Sequence, residues 1–233
     1  MDTQTRHALK GDKFAQATKT SVTWLSGHRS GVMRWVVGGA IVAVLAVGGF
    51  VFWTIQTSAA EAALGAAMDT FTSPLAEPGA PAMNGEFATA ADRAKAANQQ
   101  FLAVAQKYGW LAAGDKAHYF AGVTYEDLGQ NDSAEAELKK ADSAGGRNVA
   151  DLAKMALAGL YHQTGRDAQA IDEYNSIIAK PSVTVPATVA QLNLADLYAT
   201  TGKQDQARAL WAKVRDADKD GAAGAIAAQK LAG

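Results

Sequence analysis

The sequence predicts an all-α protein: one membrane-crossing helix, then a row of antiparallel helix hairpins closed by a capping helix. Three observations carry this. Residues 35–55 contain no charged side chain; alanine is abundant while β-branched and aromatic residues are sparse elsewhere; and one pattern of small and aromatic residues recurs three times in the C-terminal part.

The first 34 residues hold six basic and two acidic side chains, so the rest of the chain, with 16 basic and 21 acidic, is acidic. Within the tail, Phe14, Thr18, Val22 and Leu25 recur at helical spacing among Lys10, Lys13 and Lys19, which predicts a basic amphipathic helix over 5–28. Such a helix suits anionic lipid or a cytoplasmic partner.

The segment WVVGGAIVAVLAVGGFVFWTI (35–55) spans roughly 30 Å as a helix, the thickness of the bilayer hydrocarbon. Trp35 and Trp53 bracket it, where indoles prefer the headgroup regions. Arg29 and Arg34 precede it and the first charges beyond it are Glu61, Asp69 and Glu77, so the positive-inside rule puts residues 1–34 in the cytoplasm and the rest outside. Ser58, Ala59 and Ala60 offer a peptidase small residues. A signal peptide nevertheless has a short leading region and an apolar stretch of about 7–15 residues, and this segment fits neither, which favours an uncleaved anchor.

Beyond the anchor, 56–72 continues as helix, Pro74, Pro78, Gly79 and Pro81 break it, and 86–108 resumes it, with Ala97, Phe101 and Val104 on the packed face. These segments form a degenerate first hairpin over 56–110. Then the pattern begins. Tyr125, Tyr161 and Tyr198 are each followed four residues later by Gly129, Gly165 and Gly202, and five after that by Ala134, Ala170 and Ala207. Gly122, Ala158 and Ala195 stand three before each tyrosine; Leu138, Tyr174 and Trp211 stand four after each alanine. The small residue lets two helices touch, tyrosine fills the space beside it, glycine ends the first helix in a left-handed turn, and the alanine marks the close crossing of the second. The copies fall at about 115–148, 151–184 and 188–221, with a cap over 222–233, and the whole extracytoplasmic domain is 56–233.

These positions resemble the tetratricopeptide repeat (TPR), whose hairpins stack into a superhelix. In that register the first helices line a groove made of Lys116, Tyr119, Glu126, Asp127, Met155, His162, Gln163, Leu192 and Asp196. Its mixture of apolar and acidic groups suits an extended or helical peptide better than an anionic ligand.

No catalytic chemistry is visible, and no cofactor, metal, nucleic acid or small-molecule substrate is expected. The chain has no cysteine, no phosphate loop, no nucleophile elbow and no zinc signature. Asp216, Asp218, Asp220 and Gly221 imitate the start of a calcium loop, but Ala227 stands where a bidentate glutamate is needed, which makes this an acidic turn. His118 and His162 read as packing or groove residues.

A basic tail, one anchor and alanine-rich TPR hairpins outside resemble the bacterial ancillary subunit of the SecYEG translocon. The resemblance implies a single-pass inner-membrane protein with a periplasmic domain, associated with the translocon and periplasmic chaperones that handle exported proteins. A second reading is a structural or coordinating subunit of a cell-envelope or cell-division complex that binds no clients.

Overall fold

The computed structural model describes residues 29–233, apart from 80, 84, 144 and 145. The helix expected over 5–28 lies outside the described residues. Two compact units are distinguished, Met1–Ile55 and Gln56–Gly233.

In the first unit, helix α1 (Arg29–Phe71, which runs on into the second unit) carries the apolar segment. Met33–Phe71 within it is long and apolar enough to cross a membrane, and the most apolar 18 residues of that range have a mean hydropathy of 2.3 with none of them buried. The same length and composition would serve an anchor or a signal sequence. Trp35, Ile41, Leu45, Phe50 and Trp53 are all more than half exposed, as a helix that meets lipid requires.

The second unit begins with the end of α1 and continues with α2 (Ala90–Tyr108), α3 (Ala112–Asp127), α4 (Asn131–Asp142), α5 (Arg147–Gln163), α6 (Asp167–Ala179), α7 (Ala187–Thr200), α8 (Gln204–Ala217) and α9 (Ala222–Ala232). Among the described residues there is no strand, only an isolated bridge between Leu75 and Phe87. The fold is thus an all-α, tetratricopeptide-like helical repeat. Each helix of the unit packs on its neighbour in sequence; α3 also packs on α5, and α7 on the capping helix α9, while α5 and α7 touch through His162 and Thr200.

One start differs from expectation. Helix α2 begins at Ala90, not at Glu86, because Thr89 is extended and its Oγ1 accepts from the Asp92 backbone N–H (3.0 Å). A capping threonine outweighs the helix propensity of the residues before it.

The recurring glycines close α3, α5 and α7. Gly129, Gly165 and Gly202 have φ of 68°, 75° and 80°, the left-handed region. At each, the residue after the glycine donates its N–H to the repeated tyrosine's carbonyl: Gln130 to Tyr125 (2.9 Å), Arg166 to Tyr161 (2.7 Å) and Lys203 to Tyr198 (2.8 Å). The glycine N–H bonds Glu126, His162 and Ala199 in turn, which completes three Schellman motifs. Arg166 and Lys203 then lie over the rings of Tyr161 and Tyr198, 4.5 and 5.4 Å from the centroids.

The rest of the pattern is core. Ala134, Ala158, Ala170, Ala195 and Ala207 are fully buried, and Gly122 is buried beneath Leu138. Tyr161 is buried, and Tyr125 and Tyr198 are partly buried against the same apolar clusters. In the first hairpin Phe101 packs edge-on to Phe71 (6.1 Å) and stacks on Phe120 (5.3 Å), which couples it to the second. Asn98, also buried there, donates to the Ala121 carbonyl (3.0 Å) and to Thr124 Oγ1 (2.9 Å).

Candidate functional site

The first helices of the hairpins carry the candidate surface. Seven-residue spacing puts Tyr119 and Glu126 on one face of α3, two turns apart. Met155 takes the place of Tyr119 in α5, 36 residues further on, and Leu192 takes it in α7, 37 residues beyond Met155. All three are partly buried against the apolar clusters below them.

Three of the polar residues on this surface are tied to a neighbouring helix. Lys116 Nζ donates to Glu61 Oε1 (3.1 Å) on α1. His162 contacts Asp167 through Nδ1 (2.6 Å) and Thr200 Oγ1 of α7 through Nε2 (3.2 Å). Asp196 accepts from Trp211 Nε1 (3.1 Å) and from Lys230 Nζ of α9 (3.1 Å). The remaining polar groups are different. Asp127 and Gln163 are exposed at the ends of α3 and α5. Glu126 is partly buried, and no side chain among the described residues bonds to its carboxylate. Burial, reinforced by the neighbouring Asp127 charge, pushes its carboxyl up to about 7. Burial, and then the Glu126 charge, also raises the Tyr119 phenol.

Other polar clusters bind one helix to the next. His118 does not join the surface just described: its Nδ1 sits 2.6 Å from Oε2 of the buried Glu137 on α4, and Lys140 Nζ bonds the other oxygen (2.6 Å). Burial works to raise the Glu137 carboxyl, but the bonds from His118 and Lys140 together hold it below the usual range. Above this pair opens a cleft of about 660 Å³ lined by Trp110, Asp115, His118, Lys140 and Ser143 among others. Glu135 on α4 accepts from Arg166 (2.6 Å) and Tyr161 (3.3 Å) of the next hairpin and pairs with Lys139 (2.7 Å).

Spacing along one helix does not reveal these partnerships. Aligning the copies would have found some of them. His118 and Glu137 stand 36 residues before Lys154 and Glu173, another cation and carboxylate on facing helices, and Arg166 and Lys203 share one offset from their tyrosines.

In the acidic turn, Asp216 pairs with Arg215 (2.9 Å) and Asp218 Oδ2 accepts from the Gly224 backbone N–H (3.1 Å). Asp218 therefore serves the start of α9. Among the described residues no trio of His, Asp and Glu is placed to hold a metal ion.

Residues 115–144, which comprise most of α3 and all of α4, match the tetratricopeptide repeat family. No curated protein matches the chain. The tetratricopeptide-like fold is that of a protein–protein interaction scaffold, an architecture typical of proteins without enzymatic activity.

Proposed function

We propose that this chain is a single-pass protein of the bacterial inner membrane that presents a protein-binding scaffold to the periplasm, beside the SecYEG translocon. Its periplasmic part works with chaperones on proteins newly exported through that channel, and it catalyses nothing. Residues 35–55 are the anchor, and the excess of basic residues before residue 35 keeps the N-terminus in the cytoplasm. The bound protein lies along Lys116, Tyr119, Glu126, Asp127, Met155, His162, Gln163, Leu192 and Asp196.

One observation carries this reading: Tyr119, Met155 and Leu192 occupy equivalent, partly buried places on three successive first helices. A row of apolar anchors at a fixed interval is what one extended or helical segment covers. The acidic groups beside them disfavour anionic ligands such as nucleic acid.

The test is in vivo crosslinking of the full-length chain followed by purification and identification of the adducts. Translocon subunits and exported clients are expected, with client adducts reduced in the triple variant Tyr119→Ala, Met155→Ala and Leu192→Ala. Recovery of division or outer-membrane assembly components without the translocon would refute the secretion role.

A further inference from the structure

We propose that Glu126, with the Tyr119 ring one turn-pair away on the same face of α3, is a subsite for a lysine or arginine side chain of the bound segment. The proposal rests on the reading of the first-helix face as the binding surface and names what that surface selects.

Charge complementarity is the argument. Lys116 is matched by Glu61 and Asp196 by Lys230, while His162 is held between Asp167 and Thr200. What is left unmatched on this face is negative: Glu126 and, next to it, the exposed Asp127. Glu126 bears the larger cost, because it is partly withdrawn from water with no donor to replace the lost hydration, and its neighbour is another acid. The perturbed carboxyl described above is the mark of that cost. An incoming ammonium or guanidinium supplies both the donor and the opposite charge.

The surroundings suit the aliphatic part of such a side chain. Tyr119 is partly buried and packs edge-on against Phe120 (5.1 Å), so its ring is held in place. Long basic side chains lay their methylene stems on surfaces of this kind while the charged head reaches an acid, and an aromatic face adds a cation–π contribution. Met155, in the equivalent place on α5, offers an adaptable apolar contact for the neighbouring residue of the segment. The segment selected is thus a basic residue flanked by apolar ones. An acidic segment would meet Glu126 and Asp127 with like charge.

The experiment uses the full chain in dodecyl maltoside micelles and three fluorescein-labelled synthetic peptides of one apolar framework, which carry two lysines, two glutamines or two glutamates. Anisotropy titrations at pH 8, where the Glu126 carboxyl is ionised, should rank lysine over glutamine over glutamate. About tenfold should separate the first two, the scale of one charged hydrogen bond, and the gap should shrink as salt rises. Glu126→Gln, which keeps the shape and removes an unpaired charge, should bring the lysine peptide close to the glutamine peptide's affinity. Binding of all three peptides alike, or a lysine preference undiminished in Glu126→Gln, would overturn the subsite while leaving the binding face standing. Binding of none would overturn the face and the subsite together.

Discussion

Gly122 and Leu138 test the packing of the repeat most sharply, because the structure makes opposite statements about the same methyl group in two backgrounds. Leu138 is fully buried, and truncation to alanine removes its contacts and leaves a cavity, at a cost of about 3 kcal/mol. For a unit of this size that lowers Tm by about 6–12 °C. A Cβ at position 122 would lie 2.6 Å from Leu138 Cγ and 2.7 Å from Cδ2, so Gly122→Ala overpacks the crossing. The overpacking costs about 2 kcal/mol, offset by about 1 kcal/mol from the better helix former. With Leu138→Ala present the obstructing atoms are gone. The nearest remaining contact is the Ala134 carbonyl oxygen at 3.3 Å, and the added methyl occupies part of the cavity. The double variant should therefore be more stable than Leu138→Ala alone, with a coupling of about 2 kcal/mol. Every buried side chain among the described residues lies between Ala60 and Ala227, so urea unfolding of a 56–233 fragment, followed by circular dichroism, measures the cycle. Additivity within about 0.5 kcal/mol would refute the close crossing of α3 on α4.

Gly165→Ala should cost about 1–2 kcal/mol in thermal unfolding through backbone conformation alone, since φ is +75° and no atom lies within 4 Å of where the new methyl would sit; Gly165→Asn should recover part of the loss. Glu126→Gln should be pH-dependent in its effect. The folded-state carboxyl near 7 lies above its unfolded value, so the wild type loses stability as pH rises from about 4.5 to 7. The variant, unable to ionise, should match the wild type below that window and exceed it by about 1 kcal/mol above, a figure discounted for the side chain's partial exposure. Asp196→Ala removes the acceptor of both Trp211 and Lys230, and hydrogen exchange in α9 should accelerate while that in α4 stays unchanged.

The architecture was legible because each residue of the repeated pattern has a local task. A glycine that must adopt a left-handed turn, an alanine at a crossing and an aromatic filling the gap are dictated within one hairpin, and three copies make the reading redundant. The start of α2 was less legible, since Thr89 and Glu86 are both plausible helix entries and only the cap geometry separates them. On the candidate surface the repeat register assigns Tyr119, Met155 and Leu192 to three successive first helices, and these residues lie on α3, α5 and α7. The register did not reveal which polar neighbours are already engaged. Lys116 finds Glu61 and Asp196 finds Lys230 across distances of 55 and 34 residues, and no periodicity along a single helix encodes such pairs. Glu126 stands out for the same reason: its lack of a partner is a property of the stack.

Site-specific photo-crosslinking in cells tests the central claim most directly. A photoreactive residue at Tyr119, Met155 or Leu192 on the first helices is compared with one at the exposed Asn175 on a second helix. The account predicts protein adducts from all three first-helix positions and none from Asn175. Adducts confined to Asn175, or equal at all four positions, would contradict it.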